Sequence, residues 1–580
     1  MSLVRLSRFF LPLQNPVGFG LADFVGLGLA IFFVAVLLLR RRIESAIAAV
    51  AGRPIMAMAL LAIAPVSLRL LLLPSHPIPF GNVSDDFSYL LLGDTFAHFR
   101  LTNPTHPYHR FFECVFVLQQ PTYSSIYPPA QGLVLAFGEL VFNSPWAGIA
   151  ISVGVMCALV YWMLRAWTTP NWALLGGALA VMQFGPLNQW LNNYWGGAIS
   201  ASAGCLVFGA LPGLKERCRI RDAVLLGLGL GIQMLSRPFE SVLLDFCVLI
   251  YLLVALRDSA FRLRLRSRLL PLAAAACFSV LPAVGFTLLH NHAVTGNWTE
   301  LPYLLSRYQY GIPSTFTFQK MSVPHRPLTQ EQQLDYDAQK DTHGDKPETL
   351  ATFLDRYIKR IGFYKFFFYA ALYISLFFFL PSLREWRWAW LAICGLVFSL
   401  GTNIYPYFYQ HYLAALTCVF VLMSVEGLRR LSTLRFRGCN VGREAAALII
   451  VLCGAHFALW YGIHLFGNET VFEATGEFES WDYINYGDDL GRLAVKRRFE
   501  VAGGRQLVFV RYSQHHTLQE WIHDDADIDH SPVVWAIDLG PEENRKLISY
   551  YKDRNVWLIE PDEDPPKLMP YKSVESGSEK

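Results

Sequence analysis

The sequence predicts a polytopic α-helical membrane protein of about 12–13 spans that ends in a small C-terminal α/β domain. Three observations carry that expectation. Of the 580 residues, 53% are hydrophobic and only 16% are charged, against about 25% charged in a soluble chain. Apolar runs long enough for roughly 30 Å of hydrocarbon recur along the sequence, and Arg and Lys collect in short loops between them. From residue 466 the chain turns polar and has no further spanning run.

The elements follow in order. Twelve candidate spans fall near 21–39, 55–73, 146–164, 172–189, 197–214, 222–236, 239–256, 269–289, 364–381, 387–401, 411–428 and 444–465. Residues 1–54 read as an N-terminal anchor span with a basic cytoplasmic loop, 55–465 as a transmembrane domain, and 466–580 as an extracytoplasmic domain. Basic stretches such as RRR (40–42), KERCRIR (215–221) and RDSAFRLRLRSR (257–268) are placed inside. A first external loop (74–128) and a large external loop (290–363) then share one face with the C-terminal region. That alternation requires one apolar segment before residue 215 not to cross. The choice falls on PAQGLVLAFGELVF (129–142), too short for a span and carrying Gln131 and Glu139, as an interfacial or re-entrant helix; the alternative is a kinked short span there with 172–189 broken instead. In the tail, RQLVFVRY (505–512), PVVWAIDL (532–539) and NVWLIEP (555–561) read as strands with a helix at 541–553 between the last two, giving a parallel pair. Residues after 560 read as a loose end.

Several functions are excluded early. Basic residues lie in loops rather than on one folded face, so nucleic acid is not an expected partner. The ten cysteines show no CxxC or Cys/His spacing, which argues against a disulfide framework or structural zinc. GxGxxG and P-loop motifs are absent.

What remains is the external face. The stretch GNVSDDFSYLLLGDTFAHFR (81–100) places Asp85 and Asp86 next to each other where the chain leaves a span. Adjacent like charges need either water or a purpose. They read either as solvated loop acids, or as a base for an acceptor hydroxyl or a holder of a divalent cation. The following residues suggest an amphipathic helix on the membrane surface, with Asp94 and His98 spaced i, i+4. His106 and His109, in HPYH, offer two metal ligands without a third. Arg237, with Glu240 beside it in SRPFES, is either a snorkelling cation or a phosphate ligand. Tyr127, before a Pro-Pro pair, either orients a phosphate or sugar or belongs to an aromatic belt. The 290–363 loop adds Tyr303 and Arg307 among amides and aromatics of the kind sugars bind.

The stretches SDDFSYLLLGDTFAHFRLTNPTHP, QQPTYSSIYPPAQG, NNYWGGA, SRPFE and TGNWTELPY together resemble the glycosyltransferase C superfamily. More narrowly they are similar to the family-39-type bacterial enzymes related to protein O-mannosyltransferases and to the aminoarabinose transferase that modifies lipid A. The resemblance spans roughly 55–465. It implies a bacterial inner-membrane enzyme that moves a sugar, with inversion, from a polyprenyl-phosphate donor to an envelope glycan, lipid or protein on the extracytoplasmic face. By position, Asp85 or Asp86 would be the base, with Arg237, Arg307 and Tyr127 toward the donor phosphate. Asp94, His106, His109 and Tyr303 would lie on the acceptor or sugar side. No cofactor is implied beyond a possible divalent cation on Asp85 and Asp86. Two departures stand out: Tyr127 replaces the Lys that precedes Pro-Pro in aminoarabinose transferases, and Asp-Asp replaces the Asp-Glu of mannosyltransferases. A lipid-linked sugar transporter or flippase, and an oligosaccharide ligase or polymerase, are the alternatives.

Overall fold

The computed structural model describes residues 44–344, 347–466 and 491–571, with a few single positions between 31 and 39 and at 484. The predicted first span, 21–39, lies mostly outside the described residues. Among them, seven helical segments are long and apolar enough to cross a membrane: Pro54–Leu71, Pro145–Trp167, Ala198–Arg217, Pro238–Ala255, Ser259–Thr295, Gln410–Ser432 and Val441–Leu465. The chain is thus a polytopic helical membrane protein.

The expected dozen needs correction in detail. Three further predicted spans form helices of 15, 17 and 17 residues, Pro170–Phe184, Ile220–Ser236 and Trp386–Thr402, the first shorter than its apolar run and the other two slightly longer. The one at 364–381 is not a continuous helix. Leu350–Phe367 and Leu372–Arg384 meet at a bend of 110°. The break occurs at Phe368, whose backbone is extended (φ −137°, ψ 129°). There Phe366 and Phe367 turn into the core against Phe184 and Trp190, and Gln183 Nε2 donates to the Phe366 carbonyl at 2.7 Å. Aromatic burial and a side-chain donor thus replace the helical bonds lost at the bend. The basic stretch 257–268, expected as a loop, is helical from Ser259, because Asp258 caps the backbone N–H groups of Ala260 and Phe261.

Helix Ser84–Ala97 is also not the surface-lying amphipath that the sequence suggests. Nine of its residues are buried, from Asp86 through Phe96. It packs on the short helix Pro129–Phe142 at glycine contacts. A Cβ on Gly93 would lie 2.6 Å from Leu135 Cβ, and one on Gly132 would lie 2.5 Å from Leu92 Cγ. Small residues thus let the two backbones approach.

The strands β1 (Val117–Leu118) and β2 (Ser124–Ser125) form a small antiparallel ladder in the first loop. At the C-terminus, β3 (Arg505–Val510), β4 (Val533–Ile537), β5 (Arg554–Glu560) and β6 (Lys567–Pro570) make a sheet of order β4-β3-β5-β6. β3 pairs in parallel with both β4 and β5. Helix Pro541–Tyr550 connects β4 to β5. The stretch after 560 is not loose throughout, since β6 adds antiparallel to β5. The sheet shares one hydrophobic core with the first loop: Leu91, Phe111, Phe112 and Tyr123 pack with Phe499, Phe509, Trp521 and Ile559. Phe87 stacks on His523 at 4.0 Å, and Asp94 Oδ2 accepts the Ala526 N–H at 2.7 Å. The C-terminal sheet therefore covers helix 84–97 and holds it in place.

Candidate functional site

Asp85 and Asp86 occupy the first turn of helix 84–97. Successive helical residues point about 100° apart, so the two carboxylates meet different surroundings. Asp86 is 2% exposed. Its Oδ1 accepts the Tyr194 N–H at 2.8 Å and its Oδ2 the Asn82 N–H at 3.1 Å. It fastens the start of the helix to the NNYWGG segment. That segment needs its glycine: Gly197 has φ +148°, and a Cβ there would lie 2.2 Å from the Trp190 ring. Gln131 Nε2 donates to the Tyr194 carbonyl at 2.9 Å, closing the same corner.

Asp85 is half-buried and faces a different set of groups. The Tyr127 hydroxyl donates to its Oδ1. Tyr127 in turn stacks flat on Tyr89, with centroids 4.3 Å apart. Arg237 stands in the short break between helices Ile220–Ser236 and Pro238–Ala255. Its guanidinium lies 5.0 Å from the Tyr412 ring centroid and 4.0 Å from Glu240 Oε1. Both contacts leave the donor fork open, in contrast to a tight bidentate pair. Tyr405 closes the wall, 5.0 Å from Tyr412.

The electrostatics follow from this enclosure. Burial raises the Asp85 carboxyl above its ordinary range, while the Tyr127 hydrogen bond and the Arg237 charge pull it back part of the way. Burial likewise pushes Asp86 up to about 6, against the two N–H donors. Tyr127 is raised well above the ordinary phenol value by burial and by Asp85, so it stays a donor. Burial pulls Arg237 down, but Glu240, Tyr89, Tyr412 and Tyr405 together outweigh it and raise the guanidinium. The site thus holds one half-buried carboxylate, kept in place by a tyrosine, within the field of one permanent cation.

Not every expected residue joins this group. Tyr303 lies beside it: burial raises its hydroxyl, Arg307 holds it by charge and hydrogen bond, and Glu240 and Arg237 bear on it more weakly. Arg307 stands behind it, with its guanidinium 5.0 Å from the Tyr303 ring, Nε donating to the Pro313 carbonyl and Nη2 to that of Ser314, both at 3.0 Å. It braces a turn. Asp94 is engaged by Ala526 and His98. His106 Nε2 meets Asp529 and the Tyr551 hydroxyl, each at 3.2 Å. His109 Nε2 meets the Gln120 amide at 2.9 Å. The two histidines therefore do not converge. Asp85 and Asp86 do not converge either, and no group of three or more His, Cys, Asp or Glu among the described residues could hold a metal ion.

The sequence reading missed three contributors. Tyr89 and Tyr412 line the Arg237 pocket; Tyr412 was visible only as part of the Tyr-rich run 403–412. Arg69 is fully buried inside helix Pro54–Leu71. It donates to the carbonyls of His76 and Pro77 at 2.8 Å each and to Asn192 Oδ1 at 2.7 Å. It ties the entry of the first loop to the same corner that Asp86 fastens. A lone charge inside an apolar run was the available signal.

The architecture has solved counterparts. The structures of ArnT from Cupriavidus metallidurans, apo and bound to undecaprenyl phosphate, each match with a TM-score of 0.50 at 12% identity. The alignments cover 85% of this chain and 90% of ArnT for the apo form, and 86% and 92% for the bound form. The chain shares the fold of these ArnT structures. The archaeal oligosaccharyltransferase AglB from Archaeoglobus fulgidus aligns more loosely, with a TM-score of 0.40 at 12% identity over 87% of this chain and 69% of that one. No family model and no curated protein matches the chain. Within this fold, the Asp85–Tyr127 pair and Arg237 come from the first loop and from the 237 break, so one corner is assembled from distant stretches of chain.

Proposed function

We propose that the chain transfers a sugar from a polyprenyl-phosphate donor to a hydroxyl of an envelope glycan, lipid or protein, with inversion, at the extracytoplasmic face of a bacterial inner membrane. The observation that carries this reading is the placement of Asp85, held by Tyr127, in the field of Arg237 within an aromatic wall. In the proposed step Asp85 takes the proton from the acceptor hydroxyl as the oxygen attacks the anomeric carbon. The bond from that carbon to the phosphate oxygen breaks, and the lipid phosphate leaves with the electron pair. Arg237 faces the charge that develops there, through donors that its 4.0 Å contact with Glu240 leaves open. A carboxyl raised by burial suits a base that must collect a proton near neutral pH. Undecaprenyl phosphate, the lipid bound in one ArnT structure, supports the donor class. Residues 55–465 would form the catalytic membrane domain, and 466–580 the cover of its first loop.

The test is transfer in proteoliposomes from a panel of radiolabelled polyprenyl-phosphate sugars to envelope extracts, wild type against Asp85→Asn. Transfer by the wild type that disappears in a folded Asp85→Asn supports the reading. Equal transfer by both, or lipid translocation without transfer, refutes it.

A further inference from the structure

The carboxyl ends of β3 and β4 close on helix Gln330–His343 and on the first loop around a cavity of about 100 Å³. That is several times the space one water needs. In sheets with parallel strands, ligand crevices lie beyond the carboxyl ends, where successive connections diverge. Here β4 and β5 lie on opposite sides of β3, and Val510 to Tyr512, where β3 ends, line the cavity.

Its polar lining is incomplete in one specific way. Glu331 is 2% exposed and Glu113 is 8% exposed, and each lines the cavity. Glu331 Oε1 and Glu113 Oε2 have no hydrogen-bond partner. A buried carboxylate oxygen without a donor is costly and calls for one. The charges, by contrast, are already matched. Glu331 Oε2 meets His516 Nε2 at 2.5 Å, Asp538 meets Arg511 at 2.6 Å, and Arg326 lies 3.8 Å from Glu113. Burial and Glu331 push the Glu520 carboxyl up to about 8, and its two oxygens already accept from Tyr512, Ile522 and Val115. What Glu331 Oε1 and Glu113 Oε2 lack is an O–H or N–H donor, since the cations beside them already face other acidic oxygens. Val510, Ile522 and Ile537 supply an apolar wall.

We propose that this cavity binds a neutral polyhydroxylated unit, a sugar residue, whose hydroxyls donate to Glu331 Oε1 and Glu113 Oε2 while its C–H face rests on the apolar wall. The binding stands independently of the transferase reading; that the sugar belongs to the acceptor rests on that reading. The physical link is helix 330–343. Asp335, one turn after Glu331, lies in the field of both Glu331 and Asp85.

The experiment uses the full chain in detergent and measures binding of the methyl glycosides of glucose, galactose, mannose and N-acetylglucosamine by calorimetry and saturation-transfer NMR, with ethylammonium as a charged control. The expected result is saturable binding of at least one glycoside, weakened tenfold or more by Glu331→Gln and by Glu113→Gln and blocked by Ile537→Phe at an unchanged melting temperature. Asp85→Asn, which disables the proposed chemistry, leaves this binding intact. Failure of every glycoside to bind, preference for ethylammonium, or binding unchanged in both Gln variants overturns the proposal. Loss of glycoside binding in Asp85→Asn also overturns it, by assigning the sugar to the Asp85 site.

Discussion

The Tyr127 hydroxyl donates a hydrogen bond to Oδ1 of Asp85, while Asp86 beside it accepts two backbone N–H groups. Two neighbouring acids are thus divided between a reactive position and a structural one. Asp85→Asn keeps the shape and an acceptor for Tyr127, so its melting temperature should stay close to wild type while transfer falls by about 10²–10⁴. Asp86→Ala leaves the Tyr194 and Asn82 N–H groups without acceptors, at roughly 1–3 kcal/mol each. It should lower the melting temperature markedly. Thermal unfolding and transfer measured side by side decide it; equal losses of activity and of stability in both variants would refute the division.

Arg237 has no other cation to substitute for it in the described contacts of the Asp85 site. Arg237→Gln should reduce transfer by about 10²–10³, the usual loss when one charge-stabilising donor is removed. Arg237→Lys should recover only part of this, because a point charge lacks the guanidinium fork. Initial rates at saturating donor measure it, and a Gln variant with wild-type turnover would remove Arg237 from the site.

The pH profile tests how Asp85 is held. Burial raises its carboxyl, and the Tyr127 bond and Arg237 lower it. As a base it works only when ionised, so transfer should rise with pH along an acidic limb placed above the ordinary carboxylate range. In Tyr127→Phe the largest of the lowering influences is gone, and the limb should move to higher pH. A limb that stays in place, or moves down, contradicts the assigned role of Tyr127.

The hydropathy of the sequence makes the membrane architecture legible, because each long apolar run has to be buried in lipid or protein. Asp85, Asp86, Tyr127 and Arg237 were also visible, as polar or charged residues at the ends of apolar runs. Which acid faces Arg237 was not, because that depends on helical phase relative to a turn more than 100 residues away at Tyr194. His106 and Asp94 look like site residues for a related reason. Their partners, Asp529 and Ala526, lie more than 400 residues along the chain. The bend at Phe368 was hidden because aromatic residues that leave a helix for the core carry the same hydropathy as those that face lipid.

The contact between the C-terminal sheet and helix 330–343 should weaken at alkaline pH. Burial and Glu331 raise Glu520 to about 8. His516 is lowered by burial but raised further by Glu331 and Asp562, for a net increase. A group whose folded pKa exceeds its unfolded value binds more protons when folded. Its stabilisation is complete below the unfolded pKa and is lost as pH rises through the folded one. For Glu520 the window runs from the ordinary carboxylate range near 4.5 up to about 8, and His516 adds a loss in the same direction above its ordinary value of 6.5. Unfolding followed through Trp521, the buried neighbour of Glu520, should therefore occur at a lower temperature at pH 9 than at pH 6. Glu520→Gln should reduce the slope whatever its effect on the baseline, because Gln does not titrate. A melting temperature that is flat or rises between pH 6 and pH 9 in the wild type would show that these two groups do not govern the contact.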